Sequence, residues 1–250
     1  MNLQTVYDAS ADRLIELAAK NTFIAITARF ATEQDANIVL TGGRTGAKIA
    51  AALGTEISDA ATNFPEQFIK RRIHIWFSDE RYVSANNPDR TDLAILPELE
   101  KCKDQLVIHR VASISDDSDP EKIKLELIAA AQSYDQELAK SLIGSGFDSV
   151  ILSLGEDGHV ASSFPGQDEV LNSKGFAAPV SASPKPPPNR VTLTLHALSN
   201  SAQIFVFGVG AGKLEPVKAV QAEDARAVVT KLRQNSTRGH MFLLTDQKDK

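Results

Sequence analysis

The chain has little that would staple a small fold together. It contains a single cysteine, Cys102, in 250 residues. That excludes an intrachain disulfide and any multi-cysteine zinc or iron–sulfur centre. Cys102 lies in a charged stretch with no activating neighbour and reads as incidental. No apolar run approaches the roughly 20 residues of a membrane-spanning helix. Met1 to Ser10 carries Asp8 and lacks the basic-then-apolar order of a signal peptide. A cytoplasmic protein with no membrane contact is therefore expected. Positive charge is in deficit, 27 Lys and Arg against 32 Asp and Glu, for a net charge of −5. Such a balance gives no general grip on nucleic acid or anionic lipid, but it leaves room for a local basic pocket that holds a small anion. Glycine (14) and proline (11) are too few for collagen-like or long disordered sequence. There is no G-x-S-x-G nucleophile elbow and no histidine pair at metal-ligand spacing. Covalent serine hydrolysis and zinc hydrolysis both lack their signatures.

What is present is ordinary globular sequence, 42% hydrophobic and 24% charged. A chain of this length can bury about 70–75% of its unfolded surface and needs neither disulfide nor structural metal. After a helical opening with Leu14, Leu17, Ala18, Phe23, Ile24, Ile26 and Phe30 on apolar faces, Asn37 to Leu40 reads as a buried strand. It runs into Thr41-Gly42-Gly43-Arg44-Thr45-Gly46 and then a helix from Ala47 to Leu53. The pattern recurs. Ile73 to Phe77 is a strand, Thr91 opens a helical stretch, and Glu121 to Leu142 is a long amphipathic helix stopped by Gly144 and Gly146. Phe147 to Leu154, Val191 to Leu195, Ile204 to Phe207 and Met241 to Leu244 read as further strands, with a helix from Lys213 to Ala222. Alternation of this kind predicts an α/β fold: a mainly parallel, doubly wound, Rossmann-like sheet with helices on both faces. A smaller β-containing subregion is expected toward the C-terminal half, and residues 1–250 are read as one domain. The four prolines between Ser181 and Asn189 exclude a central strand there and suggest an ordered loop or lid edge.

In such sheets ligands bind beyond the carboxyl ends of the strands, and several polar clusters fall there. Thr41 to Gly46 could cradle a phosphate or carboxylate at a helix N-terminus, or be a plain strand-to-helix turn. It is neither a dinucleotide fingerprint nor a Walker loop. Asp79-Glu80-Arg81 follows the second strand. Its arginine could hold a phosphate oxygen or an oxyanion, with the carboxylates orienting it, or the three could form a surface ion-pair cluster. Gly155-Glu156-Asp157-Gly158-His159 puts a histidine in a glycine-flanked turn, suited to general-base work, with Asp157 able to orient the imidazole. His74, His109, His196 and His240 read as structural or surface residues. Arg190 and Lys213 open later elements and could supply positive charge to a phosphate.

Taken in order, these segments resemble the 6-phosphogluconolactonases of the wider glucosamine-6-phosphate deaminase and isomerase superfamily. Leu40 to Gly46 is similar to that family's Leu-Ser-Gly-Gly-Ser-Thr-Pro loop, and Trp76 to Val83 to its Asp-Glu-Arg segment. Leu154 to Gly166 is similar to its Asp-Gly-His-x-Ala-Ser-x-Phe-Pro signature. Asn189 to Thr194 and Gly212-Lys213 resemble its later motifs. The resemblance implies hydrolysis of a sugar-phosphate lactone with no metal or organic cofactor. It implies His159 as the base that activates water, Asp157 as its orienting partner, and Arg81 on the substrate or developing oxyanion. Gly42, Gly43, Arg44 and Thr45 would form the phosphate-side loop, with Asp79, Glu80, Arg190 and Lys213 completing the substrate site. The implied partner is a small molecule, and the chain is expected as a monomer or weak homodimer.

Departures from the family pattern carry expectations of their own. Arg44 replaces the usual serine and Gly46 the usual proline, making the loop more basic and less rigid. Glu156 adds a negative charge beside Asp157 and is expected to raise the His159 pKa. A glucosamine-6-phosphate deaminase is the nearest alternative, but its branch continues with Ala-Phe-Asn-Glu-Pro-Gly, and the Asn-Glu pair is missing from Ala161-Ser162-Ser163-Phe164-Pro165-Gly166. A non-catalytic sugar-phosphate sensor is a further alternative. Related regulators carry an N-terminal DNA-binding domain, and the first core strand expected at Asn37 comes too early for one.

Overall fold

The structure is a computed structural model and describes residues 1–115 and 119–248. In chain order its elements begin with β1 (Asn2–Tyr7), α1 (Ala11–Ala31), β2 (Ala36–Leu40), α2 (Gly43–Asn63), α3 (Pro65–Ile69), β3 (Ile73–Phe77), β4 (Asp79–Arg81) and α4 (Thr91–Ile95). A 3₁₀ segment (Leu96–Gln105), β5 (Leu106–Ile108), α5 (Pro120–Ser141), β6 (Ser149–Ser153), α6 (Asp168–Leu171) and β7 (Ala177–Val180) follow. The chain continues through β8 (Arg190–Leu193), α7 (Leu195–Ser199), β9 (Gln203–Gly208), α8 (Leu214–Gln221), α9 (Val228–Asn235) and β10 (His240–Thr245).

The central sheet has seven strands in the order β1-β10-β9-β6-β2-β3-β5, all parallel. Its middle strands are short apolar runs because both faces are covered. All five residues of β2 are buried. Alternate side chains divide between two cores. Ile38, Leu40, Ile75 and Phe77 pack with Leu14 of α1, Ile49 of α2 and Leu99 of the 3₁₀ segment. Val39, Trp76, Val150 and Leu152 pack with Leu127 and Leu138 of α5 and Leu232 of α9. Helix starts follow local chemistry. The Ser10 hydroxyl accepts from Arg13 N at the head of α1. Asp119 accepts from Glu121 N ahead of Pro120 in α5. Caps of this kind contribute about 1 kcal/mol each. Gly144, at φ +68, turns the chain out of α5.

From β2 the chain steps outward to β3 and β5, then returns to β6 on the other side of β2 and continues to β9 and β10. The order therefore reverses between β2 and β6, where a crevice opens at the strand carboxyl ends. A second, antiparallel sheet of three strands, β4-β8-β7, lies beside that crevice. It is the expected smaller β subregion, but one of its strands comes from the N-terminal half: Asp79–Arg81 is β4, paired with Arg190–Thr192 of β8. Thr194 caps α7 rather than extending a strand to Leu195.

Strand β1 was not anticipated. It is an edge strand with exposed or half-exposed side chains, so its sequence holds no apolar run. Strand β7, with exposed Pro179, is likewise an edge. Leu17 and Ile24, expected on apolar faces of α1, are exposed. Cys102 is fully buried, and burial pushes its thiol up to about 11, which fits an unreactive core residue. No helix among the described residues is long and apolar enough to cross a membrane.

Candidate active site

The turn after β6 is closed by two hydrogen bonds, Gly155 N to His159 O (2.8 Å) and Gly158 N to Gly155 O (3.0 Å). Gly158 sits at φ +83, a conformation that suits glycine. Gly155 has a different constraint: a Cβ there would lie 2.0 Å from His159 Nδ1. The missing side chain is what lets the imidazole fold back over the turn. In that position His159 Nδ1 hydrogen-bonds Asp157 Oδ1. A carboxylate can only accept, so Nδ1 carries the proton and Nε2 keeps its lone pair.

Burial pushes the His159 pKa below the usual histidine value, and pairing with Asp157 only partly offsets this. Lys185 adds to the lowering, since its Nζ lies 3.6 Å from Asp157 Oδ1. For Asp157, burial alone would raise the pKa, but the His159 hydrogen bond and neighbouring charge bring it below the usual range. The expected rise of the His159 pKa from Glu156 does not prevail, since burial lowers it overall. Glu156 lies over Gly212, where an added Cβ would come 2.9 Å from its carboxyl carbon, and its charge acts on Lys213.

His159 borders a cavity of about 290 Å³ whose wall also holds Arg81, Lys185, Arg190 and Lys213. Four cations thus line one cleft of a protein with net charge −5. They are not equivalent. Arg190 is buried and largely occupied: it donates to the carbonyls of Lys185, Pro186 and Pro187 and to Asp79 Oδ2. It ties the proline-rich loop to the cleft, and its guanidinium lies over the Phe164 ring that also touches His159. Arg81 donates Nη1 to Asp89 O (2.6 Å), while its buried Nε has no partner among the described residues. Lys213 lines the wall with its pKa lowered by burial.

The β2 turn supplies the opposite wall through Thr41, Gly42 and Gly43. Gly42 caps α2 with no side chain, so the helix N-terminus faces the cleft bare. Gly46 is a packing requirement rather than a loosening of the loop, because a Cβ there would meet Thr41 O at 1.9 Å.

Of the residues singled out from sequence, His159, Arg81, Asp79, Gly42, Gly43, Arg190 and Lys213 meet at this cleft. Asp157 stands behind His159. Asp79 accepts from Ser78, Ser162 and Arg190, joining the end of β3 to β8 and the His159 segment. Arg44 is exposed and Thr45 half-buried, and neither lines the cleft. Glu80 is fully buried and turned away from it. Lys185 and Thr91 line the cleft and were missed. Lys185 sits in the proline-rich segment already marked as a lid edge, whereas no local signal points to Thr91. Three larger cavities, about 510, 680 and 350 Å³, lie elsewhere among the described residues; the first two gather none of these residues, and the third takes in only Asp157.

The family model for glucosamine-6-phosphate isomerases/6-phosphogluconolactonase matches residues 9–238. The 6-phosphogluconolactonase of Mycobacterium tuberculosis is 33% identical over 217 residues, covering 84% of this chain and 82% of that protein. The 6-phosphogluconolactonase of Streptomyces coelicolor is 30% identical over 222 residues, covering 86% and 81%. Among solved structures, 6-phosphogluconolactonase from Trypanosoma brucei superposes with TM-score 0.76 at 23% identity, over 98% of this chain and 96% of that one. A monomeric glucosamine-6-phosphate deaminase shares the fold at TM-score 0.68 and 18% identity, over 98% and 97%. The fold alone thus does not choose between the two chemistries.

Proposed function

Because the chain belongs to the glucosamine-6-phosphate isomerase/6-phosphogluconolactonase family, we propose that it hydrolyses 6-phospho-D-glucono-1,5-lactone to 6-phospho-D-gluconate in the oxidative pentose phosphate pathway. The observation that carries the site assignment is the meeting of an Asp-oriented histidine with four cations in one cleft. His159 Nε2 takes a proton from water as the water oxygen attacks the lactone carbonyl. The carbonyl oxygen becomes an oxyanion. Collapse of the tetrahedral adduct breaks the bond to the ring oxygen, which leaves with the proton from His159. No bond to the protein forms.

A δ-lactone is an activated ester, so modest assistance suffices. A positioned base supplies about 10²–10⁴-fold and an oxyanion donor about 10²–10³-fold. Arg81, on the cleft wall, offers its guanidinium to the substrate. Lys213, Lys185 and the bare N-terminus of α2 offer charge to the phosphate, whose binding energy orients the ring. The same reading has residues 1–250 acting as one α/β domain in the cytoplasm, as a monomer or weak homodimer, on this small molecule alone.

The test follows loss of lactone generated in situ, in EDTA, against its spontaneous rate. Rapid loss with the wild type and near-background loss with a folded His159→Ala is expected. Equal rates for both would move the base elsewhere. No acceleration by the wild type would sink the reading.

A further inference from the structure

We propose that Glu80 is a positioning residue that presents Arg81 and Thr91 to the cleft through a single carboxylate oxygen. Glu80 Oε1 accepts from Arg81 N (2.7 Å) and from Thr91 N (2.6 Å), and Oε2 accepts from Asp92 N (2.9 Å). Residues 82–90 between those amides form no helix or strand. They are a loop closed at both ends on one oxygen atom.

Both residues so held belong to the cleft wall. Arg81 is fixed a second time from inside the loop, where it donates to Asp89 O. Thr91 sits beneath the anion-facing turn, with its Oγ1 3.0 Å from where a Gly42 Cβ would stand. The carboxylate also faces the first amides of α4, where negative charge is favoured. Arg90 closes the network. It pairs with Asp92 through two 2.9 Å hydrogen bonds, donates to Val111 O, and brings Nη2 to 3.8 Å from Glu80 Oε2.

A fully buried carboxylate with no contact to the cleft has no direct part in the chemistry. Burial pushes its pKa up to about 7, and it is the three backbone amides donating to its oxygens that hold the ends of the loop carrying Arg81. This inference rests on the lactonase reading, since its effect is measured in lactone hydrolysis.

The test is a double-mutant cycle of Glu80→Gln with Arg81→Ala, read as kcat/KM for lactone hydrolysis beside the unfolding midpoint of each variant. The amide keeps only one acceptor oxygen, so its NH2 faces either Asp92 N and Arg90 or the Arg81 and Thr91 amides, and the three-amide closure cannot stay whole. Displacement by about 1 Å can cost about 10²-fold, so Glu80→Gln should lower kcat/KM by roughly tenfold or more when Arg81 is present. With Arg81→Ala, the same change should cost less than about threefold, the part carried by Thr91. The loss of unfolding midpoint should be the same in both backgrounds. An equal kinetic loss in both backgrounds would mean that Glu80 only stabilises the fold, and would overturn the proposal. If Glu80→Gln does not fold, Glu80→Asp, which keeps the charge but shortens the reach, enters the same cycle with the same criterion. If neither folds, wild-type hydrogen exchange decides: the amides of Arg81, Thr91 and Asp92 should open together, and exchange of Arg81 independent of the other two would overturn it. A wild type with no lactone hydrolysis fails the lactonase reading instead, and is seen before any variant is made.

Discussion

His159 and His109 begin alike and end differently. Each ring gives its Nδ1 to a carboxylate, Asp157 for His159 and Glu137 at 2.6 Å for His109. In each, burial pushes the pKa below the usual histidine value and the carboxylate partly offsets it. The rings part at Nε2. His109 Nε2 is bonded to His74 Nδ1 at 2.8 Å, and its face is stacked on Trp76 at 3.6 Å. His74 in turn approaches Asp35 at 3.5 Å. Both ring nitrogens of His109, and its backbone amide on Ile75 O, are used to hold β3, β5 and α5 together. Among the described residues His159 Nε2 has no hydrogen-bond partner, and the ring borders a cleft lined by cations. A carboxylate partner therefore does not make a histidine a base. On the proposed reading, the free second nitrogen facing the cleft is what makes His159 the base.

Four experiments press on that contrast, from the largest effect to the smallest. His159→Ala should lower kcat/KM by about 10²–10⁴-fold while leaving the unfolding midpoint nearly unchanged. An active variant would show that the free nitrogen is not the base. Gly155→Ala places a methyl 2.0 Å from His159 Nδ1 and must push the ring off Asp157. A loss on the order of 10²-fold in kcat/KM is expected, and full activity would mean that the pairing does not matter.

His109→Gln should do the opposite of His159→Ala. It cannot replace both ring hydrogen bonds or the stack on Trp76, so stability falls by about 1–3 kcal/mol. The kcat/KM should stay within about twofold. A kinetic loss as large as that of His159→Ala would erase the distinction between the two sites.

The smallest effect is in pH dependence. Both histidines are held neutral in the folded state, whereas the unfolded chain takes a proton near pH 6.5. Below that pH the unfolded state binds more protons, so stability is present above it and is lost as pH falls through the folded-state values. His109→Gln should flatten this loss. Only His159 should appear in kcat/KM, as an acidic limb below about 6.5 that His109→Gln leaves in place. An acidic limb above that value would contradict the burial of His159.

Much of the site was legible in sequence because its parts are local. The strand ends at Leu40, Phe77 and Leu154 were readable from apolar runs, and the turns after them from glycine and charge. His159 and Asp157 are two residues apart, so their pairing follows from one turn. Lys185 was overlooked as a cleft residue because proline dominates its surroundings. Thr91 is tied by its backbone amide to Glu80, eleven positions earlier, a contact no local signal announces. Glu80 itself reads as a site residue in sequence because it sits between Asp79 and Arg81. Its burial is set by α4 folding over it. The edge strand β1 escaped notice because a half-exposed strand has no need of an apolar run, and β7 because it is only four residues long and carries Pro179.

The sequence by itself determined the alternation of buried strands and helices, and with it a parallel sheet whose ligand must lie beyond the strand ends. It also determined the glycine turn that lets His159 meet Asp157. These are matters of periodicity and of steric contact within a few residues, which the chain specifies locally. Only the tertiary structure decided which charges face the cleft. Arg190 is anchored by carbonyls of the proline loop, Arg44 points to solvent, and Glu80 is sealed beneath the loop it closes. Each of those outcomes depends on which distant backbone groups reach the side chain first, and that is fixed by packing rather than by neighbours in sequence.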